Sequence, residues 1–220
     1  MRKILIAVPC MDQVPAQFAN SIATLASYGI EGIEISLRFN LGSLIYNSRN
    51  ELARSAIAEG ADLMMWFDSD MVFNPDTLLR MLRIIDDEEA DFVTGVYYRR
   101  TAPFTPTLFK SLDIDENNNA TWEDYEDLPE GLFEVAGCGF GCVLMRTDVA
   151  MSVFSRFNHM FSPIGGVGED LSFCWRARQC GYKLICDPSI PLGHVAHTMV
   201  TKDFYHNYKK TIEKRAENDS

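Results

Sequence analysis

The run Leu63-Met64-Met65-Trp66-Phe67, followed at once by Asp68-Ser69-Asp70, constrains this chain more than any other stretch. Five consecutive apolar residues read as a strand covered on both faces, as in a parallel sheet with helices on either side. The run ends in two carboxylates one residue apart. If the chain stays extended there, alternate side chains point the same way, and Asp68 and Asp70 converge just past the strand's carboxyl end. That edge is where open α/β sheets bind ligands. Two carboxylates there, with no Lys or Arg between them, suit a hard divalent cation. The same Asp-Ser-Asp also suits an ordinary turn with solvated charges.

The flanking sequence supplies the partners of that strand. Residues 3–8 read as a first strand ended by Pro9, with 10–14 looping at the carboxyl edge. The basic start and apolar run of residues 1–8 are cut short by Pro9, Cys10 and Asp12, which favours a strand over a leader peptide. Residues 16–28 carry Phe18, Ile22 and Leu25 at helical spacing, with Gly29 as a stop. Residues 33–37 alternate as a second strand, 38–46 form a loop, and Asn47 or Ser48 caps a helix that runs to about Glu59 before Gly60. Pro75 and Asp76 open a helix over 77–85, and 91–96 form a further strand. This β-α-β-α-β-α-β order is that of a mostly parallel sheet.

The second half reads differently. Residues 97–109 are irregular and aromatic, with Arg99 and Arg100. Residues 113–127 are acidic and polar, an exposed loop or hairpin tip. Residues 132–145 are apolar and rich in glycine, so the backbone bends or something approaches it closely. A short helix over 148–154 is capped by Thr147. A loop over 158–168 leads into a helix over 169–181, a last strand over 183–187, and a polar helix over 203–215. No internal repeat and no linker divides the chain.

Composition limits the possible partners. A chain of 220 residues with 47% hydrophobic and 23% charged residues is an ordinary globular domain. Its formal net charge of −11 argues against nucleic acid or an anionic membrane as a partner. An anionic small ligand remains compatible if metal or Arg supplies local positive charge. No apolar run is long enough to span a membrane. None of the six cysteines forms a Cys-x-x-Cys pair. They read as reduced core residues rather than a zinc site, which suits a reducing cytosol and a cytoplasmic location.

Three segments carry the candidate chemistry. Asp68 and Asp70 form the first. In the second, Gly165-Gly166-Val167-Gly168 delivers Glu169 and Asp170 to a helix start, where acids also serve simply as caps that complement the helix dipole. The third is Gly193-His194-Val195-Ala196-His197, with two histidines just after the last strand, a pattern that favours metal binding over a purely structural role. The order of Asp-Ser-Asp, Gly-Glu-Asp and Gly-His-Val resembles that of the GT-A fold glycosyltransferases. The stretch Gly168-Glu169-Asp170-Leu171-Ser172-Phe173-Cys174-Trp175-Arg176, ending at Gly193-His194-Val195, is similar to that of the polypeptide N-acetylgalactosaminyltransferases. It also resembles the acid-rich turn of the β-galactosyltransferases and of the large family-two group. Asn47-Ser48-Arg49-Asn50 resembles the helix start found in many such enzymes.

The resemblance implies a single GT-A-like catalytic domain of α/β class, with a mostly parallel central sheet flanked by helices. Residues 1–100 would form the nucleotide-binding half, 101–200 the acceptor-binding half, and 201–220 a C-terminal helix. It implies a metal-dependent transferase of hexosyl type, which moves a sugar from a nucleotide-diphosphate donor, with a UDP-sugar first among donors, to the hydroxyl of a glycan, protein or small molecule. Mn²⁺ or Mg²⁺ would neutralise the diphosphate leaving group. Carried over residue by residue, Asp70 is the principal metal ligand and Asp68 the ribose or metal partner. His194 is a further ligand, with His197 as the alternative. Asp170 would deprotonate the acceptor in an inverting enzyme, with Glu169 beside it. Pro9, Cys10 and Arg49, with Asp68 and Ser69, would line the nucleotide pocket. Gly137–Gly141 would floor the acceptor site unless it is a β-bulge. Trp122 would stack on an acceptor sugar, while Trp66 and Trp175 belong to the core. Two alternatives stand beside this reading. Phe67-Asp68-Ser69-Asp70 also fits the nucleophile motif of haloacid-dehalogenase-type phosphatases, and an inert sugar-nucleotide-binding protein would keep the same fold.

Overall fold

The computed structural model describes residues 1–88, 90–197, 201, 202, 204 and 206–211. In chain order the elements are β1 (Arg2–Cys10), α1 (Ala16–Tyr28), β2 (Ile33–Leu41), α2 (Ile45–Ala58), β3 (Leu63–Phe67), β4 (Met71–Phe73), α3 (Thr77–Asp87) and β5 (Phe92–Gly95). Then follow β6 (Leu108–Ile114), β7 (Ala120–Asp124), β8 (Phe133–Val135), β9 (Gly137–Cys138), β10 (Cys142–Arg146), α4 (Thr147–Phe157), α5 (Glu169–Gln179), β11 (Leu184–Asp187) and β12 (Leu192–His194). The C-terminal helix expected over 203–215 lies partly outside the described residues, of which 206–211 are helical.

The main sheet has seven strands in the order β2-β1-β3-β10-β5-β11-β8. β1 pairs in parallel with β2 and β3, and β11 in parallel with β5, whereas β10 and β8 run against their neighbours. The sheet is therefore mixed, with five strands sharing one direction. The backbone turns back at the carboxyl end of β3, where Gly141 O accepts from Asp68 N at 3.3 Å, and the next residue, Cys142, pairs with Phe67 on the way down.

β3 lies fully buried, as its composition requires. Its side chains alternate between two apolar layers. Met64 and Trp66 enter the larger one, with Phe140, Phe161 and Phe173, while Leu63, Met65 and Phe67 enter the other, with Phe18, Phe73 and Ile85. α2, α4 and α5 contribute to the first layer, and α1 and α3 to the second. Phe67 stacks on Phe73 with ring centroids 3.8 Å apart, which clamps the short strand β4 under the end of β3.

Several boundaries differ from expectation. The loop expected over 38–46 shrinks to residues 42–44, because β2 continues to Leu41 in register with Cys10 and α2 starts at Ile45. The acidic stretch 113–127, by contrast, holds the hairpin tip that is one of its two expected forms: it joins β6 to β7, and the turn is closed by Asp115 Oδ1, which accepts from the backbone N–H of Asn117 and Asn119. The strands β4 and β12, three residues each, have no signal of their own in the sequence, being too short to show a period. They pair antiparallel to each other, with His194 opposite Met71.

Candidate functional site

The carboxyl edge of β1 and β3 opens into a cleft of about 400 Å³. It is lined by Pro9, Cys10 and Met11 after β1, by Gly42, Ser43, Ile45 and Ser48 around the start of α2, by Asp68, Ser69 and Asp70 after β3, and by Arg100 and His194. Of the residues expected at a nucleotide pocket, Pro9, Cys10, Asp68 and Ser69 lie on its wall. Arg49 does not. Its side chain is only 2% exposed and lies behind Asp68.

Asp68 and Asp70 do not converge. The chain leaves the extended conformation at Asp68 and turns, with Met71 N donating to Asp68 O at 3.1 Å, so the alternation that would align the two carboxylates is lost. Asp68 stays on the α2 side, where its Oδ1 accepts from Arg49 Nη2 at 2.7 Å. The same guanidinium donates through Nε to Glu169 Oε1 at 3.1 Å. Its Cζ stands 5.8 Å from the Trp66 ring centroid and 5.3 Å from that of Phe140. Nη1 is buried and has no hydrogen-bond partner among the described residues. Burial works against the charge on Arg49, but Asp68, Glu169 and Asp170 outweigh it and hold the guanidinium firmly protonated. One buried cation thus binds the end of β3 to the start of α5.

Asp70 lies past the turn and meets the other side of the cleft. Val195 N donates to Asp70 O at 2.9 Å, which extends the β4–β12 pairing up to the aspartate itself. His194 Nε2 is 3.4 Å from Asp70 Oδ2, and Arg100 Nη1 donates to the same oxygen at 2.7 Å. Burial favours the neutral acid of Asp70, but its hydrogen bond with His194 and the charges of His194 and Arg100 hold the carboxyl below its ordinary range. Burial likewise opposes a charged His194, but Asp70 and the Tyr98 carbonyl raise its pKa. His197 is exposed and does not line the cleft.

The histidine ring is fixed from two sides. Nδ1 lies 2.8 Å from the Tyr98 carbonyl oxygen, to which it donates, so that Nε2 faces Asp70. The Tyr97 ring meets the imidazole edge-on, with centroids 5.2 Å apart. Tyr97 itself is buried against Gly139 and Gly141, where added Cβ atoms would come within 2.1 Å of its hydroxyl oxygen and 2.6 Å of Cζ. Its hydroxyl oxygen accepts from Gly141 N at 3.1 Å. The glycines expected to floor an acceptor site therefore admit the chain's own tyrosine.

This donor set fits a divalent cation. Two ligands of one ion, each about 2.1 Å from it, lie about 3 Å apart, close to the Asp70–His194 separation. A backbone carbonyl on the far nitrogen is the usual outer partner of a metal-bound histidine. The protein supplies only this pair, since no group of three or more His, Cys, Asp or Glu side chains is arranged to hold a metal among the described residues. Asp70 and His194 would hold such a cation, with its other ligands coming from outside this pair, as is common for Mg²⁺.

The acidic turn stands behind Asp68. Gly165 and Gly166 have φ of +63° and +80°, which favours glycine and turns the chain into α5. Glu169 is bonded to Arg49. Asp170 accepts from Leu171 N through Oδ1 at 2.8 Å. Burial, reinforced by the charge of Glu169, pushes its carboxyl up to about 6, against the pull of the Leu171 N–H and Arg49. Trp66 is fully buried and Trp175 partly so, whereas Trp122 is half exposed on the β6–β7 hairpin. The six cysteines are all free thiols. Sequence reasoning missed Met11, Gly42, Ser43, Ile45 and Ser48 on the cleft wall. Their signal was the extension of β2, since Gly42 N donates to Cys10 O at 3.1 Å and ties the start of α2 to the end of β1.

The cleft lies at the carboxyl edge of a doubly covered α/β sheet, the edge at which proteins of this architecture bind their ligands. The chain belongs to glycosyl transferase family 2, whose family description matches residues 35–154, more than half its length. This assignment favours transferase chemistry over the phosphatase alternative. No curated protein matches the chain. Among solved structures, the one described as "Crystal Structure of A197 from STIV" is similar, with a TM-score of 0.60 and 18% identity, covering 90% of this chain and 87% of that one. At that identity the likeness speaks to the fold alone. No helix among the described residues is long and apolar enough to cross a membrane.

Replacing Arg49 with Met removes the counter-ion of three carboxylates while keeping most of the volume. Loss of one partner from a buried pair costs about 3 kcal/mol or more, so the urea midpoint at pH 8 should fall accordingly. Asp170 already titrates above its unfolded value, and without Arg49 it rises further. A raised carboxyl favours the fold at low pH and loses that advantage as pH rises through its folded value. The deficit of Arg49→Met measured by urea titration should therefore be smaller at pH 5 than at pH 8.

Proposed function

We propose that this member of glycosyl transferase family 2 moves a sugar from a nucleotide-diphosphate donor to an acceptor hydroxyl, with a divalent cation at Asp70 and His194. The observation that carries this reading is the Asp70–His194 pair, 3.4 Å apart, on the wall of the cleft beside Pro9 and Cys10. A net charge of −11 makes the cleft a poor host for a diphosphate unless positive charge is supplied locally. Mn²⁺ or Mg²⁺, when bound, would neutralise the leaving diphosphate and orient it.

The chain's own residues have distinct tasks in this scheme. The backbone after β1 and the start of α2 form the wall against which the nucleotide packs, so residues 1–100 supply most of the donor half. Asp68, fixed by Arg49, presents its remaining oxygen toward the donor ribose. Tyr97 and the Tyr98 carbonyl keep the His194 ring in orientation. Asp170 accepts the acceptor's proton at a carboxylate oxygen. Its pKa near 6 suits that task, because a base works best when it is ionised yet not far below working pH. Glu169 is tied to Arg49 and acts as a positioning residue. Residues 101–200 form the acceptor half, with Trp122 as a stacking surface for a sugar ring. A uridine nucleotide and a hexosyl group are the first choices to test.

Calorimetry with uridine diphosphate, with and without Mn²⁺, tests the site. Wild-type protein should bind the nucleotide only with metal. Asp70→Ala should lose that binding at least tenfold while keeping its melting temperature within a few degrees. Nucleotide binding that ignores Mn²⁺ would contradict the reading.

The role of Asp170 has its own signature. As a base it must be ionised, so kcat/KM for nucleotide release should fall as pH drops through about 6. Asp170→Asn should be slower by about 10²–10⁴ and show no such limb. An unchanged acid limb in the variant would remove Asp170 from the chemistry.

A further inference from the structure

We propose that Arg100 binds the diphosphate of the donor and is displaced from Asp70 by the divalent cation, so that one side chain serves two states of the cleft in turn. This rests on the functional reading above. Arg100 and His194 are the only cationic side chains among the described residues lining the cleft. Both address the same atom, since Asp70 Oδ2 accepts from Arg100 at 2.7 Å and lies 3.4 Å from His194 Nε2. A cation bound between Asp70 and His194 would therefore sit beside the Arg100 guanidinium, and two positive groups on one carboxylate oxygen repel each other.

Arg100 is free to leave. Its side chain is 52% exposed against 23% for Asp70, so the pair is a partly solvated bridge that shifts an equilibrium by only about fivefold. Its backbone is anchored by contrast. Arg99 N donates to Thr105 O at 3.0 Å, and Thr107 N to Tyr97 O at 2.9 Å, which closes the connection between β5 and β6 and keeps Arg100 over the cleft. The neighbouring Arg99 is committed elsewhere, to Asp124 at 2.6 Å and to the face of Phe109. Arg100 alone of the two can turn to the ligand.

The chemistry favours that destination. One divalent cation leaves a nucleoside diphosphate with residual negative charge, and the planar guanidinium matches phosphate oxygens in a bidentate way. In the ligand-free cleft the same guanidinium neutralises Asp70, to whose Oδ2 it donates at 2.7 Å. The cation and Arg100 are thus competitors for Asp70 and partners on the diphosphate.

The two relations have opposite signs, which a purely structural role for Arg100 cannot produce. Calorimetry on the full chain should show that Arg100→Gln binds Mn²⁺ alone more tightly than wild type, by up to about fivefold. At saturating Mn²⁺ the same variant should bind uridine diphosphate about tenfold more weakly, the scale of one charged hydrogen bond. Arg100→Lys should recover part of the nucleotide affinity. If Arg100→Gln binds Mn²⁺ no more tightly, or binds the nucleotide as well as wild type, the inference falls while the functional reading stands. If wild-type protein binds neither Mn²⁺ nor the nucleotide, the reading of the site falls and takes this inference with it.

Discussion

The site depends on one buried cation. Arg49 projects from α2 into the apolar layer between Trp66 and Phe140 and bonds Asp68 and Glu169, which lie about a hundred residues apart in sequence. Burying a guanidinium in such surroundings is unfavourable unless carboxylates surround it, and removing either side leaves an uncompensated charge. The acids need the arginine for the same reason. Glu169, Asp170 and Asp68 all face one region, and without Arg49 their mutual repulsion would open it. An ion pair of this kind is weak evidence for stability as such. Its consequence here is positional, because it fixes the end of the central strand against the start of the helix that carries Asp170.

A second constraint works through the backbone. β4 and β12 contribute three residues each, and neither would be stable alone. Phe73 secures β4 by stacking on Phe67, and the pairing then brings the segment after β11 back to Asp70. His194 and Asp70 meet because main chains are paired, not because the side chains attract each other. Tyr97 completes the arrangement. Only glycine at 139 and 141 leaves room for its ring, which in turn sets the angle of the imidazole. A chain of packing contacts thus runs from a glycine-rich turn to a candidate metal ligand.

Much of this could be read from the residues themselves. Five apolar residues before Asp68 announced a doubly covered strand, and α1 spans the residues its periodicity marks. The three segments of candidate chemistry were visible as acids and histidines at strand and helix ends. Other features had no local signal. Whether Asp68 and Asp70 point together depends on a single turn hydrogen bond from Met71, which composition does not encode. Arg49 looked like a pocket residue because Arg suits both phosphate and a buried ion pair, and only burial distinguishes them. The choice of His194 over His197 rests on the register of a strand too short to show periodicity. The glycines at 139 and 141 signalled a close approach correctly, but not which group approaches.

If the proposed site is right, an ion joins Asp70 to His194 while Asp68 remains with Arg49. Diffraction from crystals grown with Mn²⁺ and uridine diphosphate, recorded near the manganese edge, tests it directly. One anomalous peak is expected about 2.0–2.4 Å from an Asp70 carboxylate oxygen and from His194 Nε2. Phosphate oxygens should complete its shell, and the Arg49–Asp68 bond should stay intact. Nucleotide bound in the cleft with no peak at those two atoms, or a peak held by Asp68 in place of His194, would contradict it.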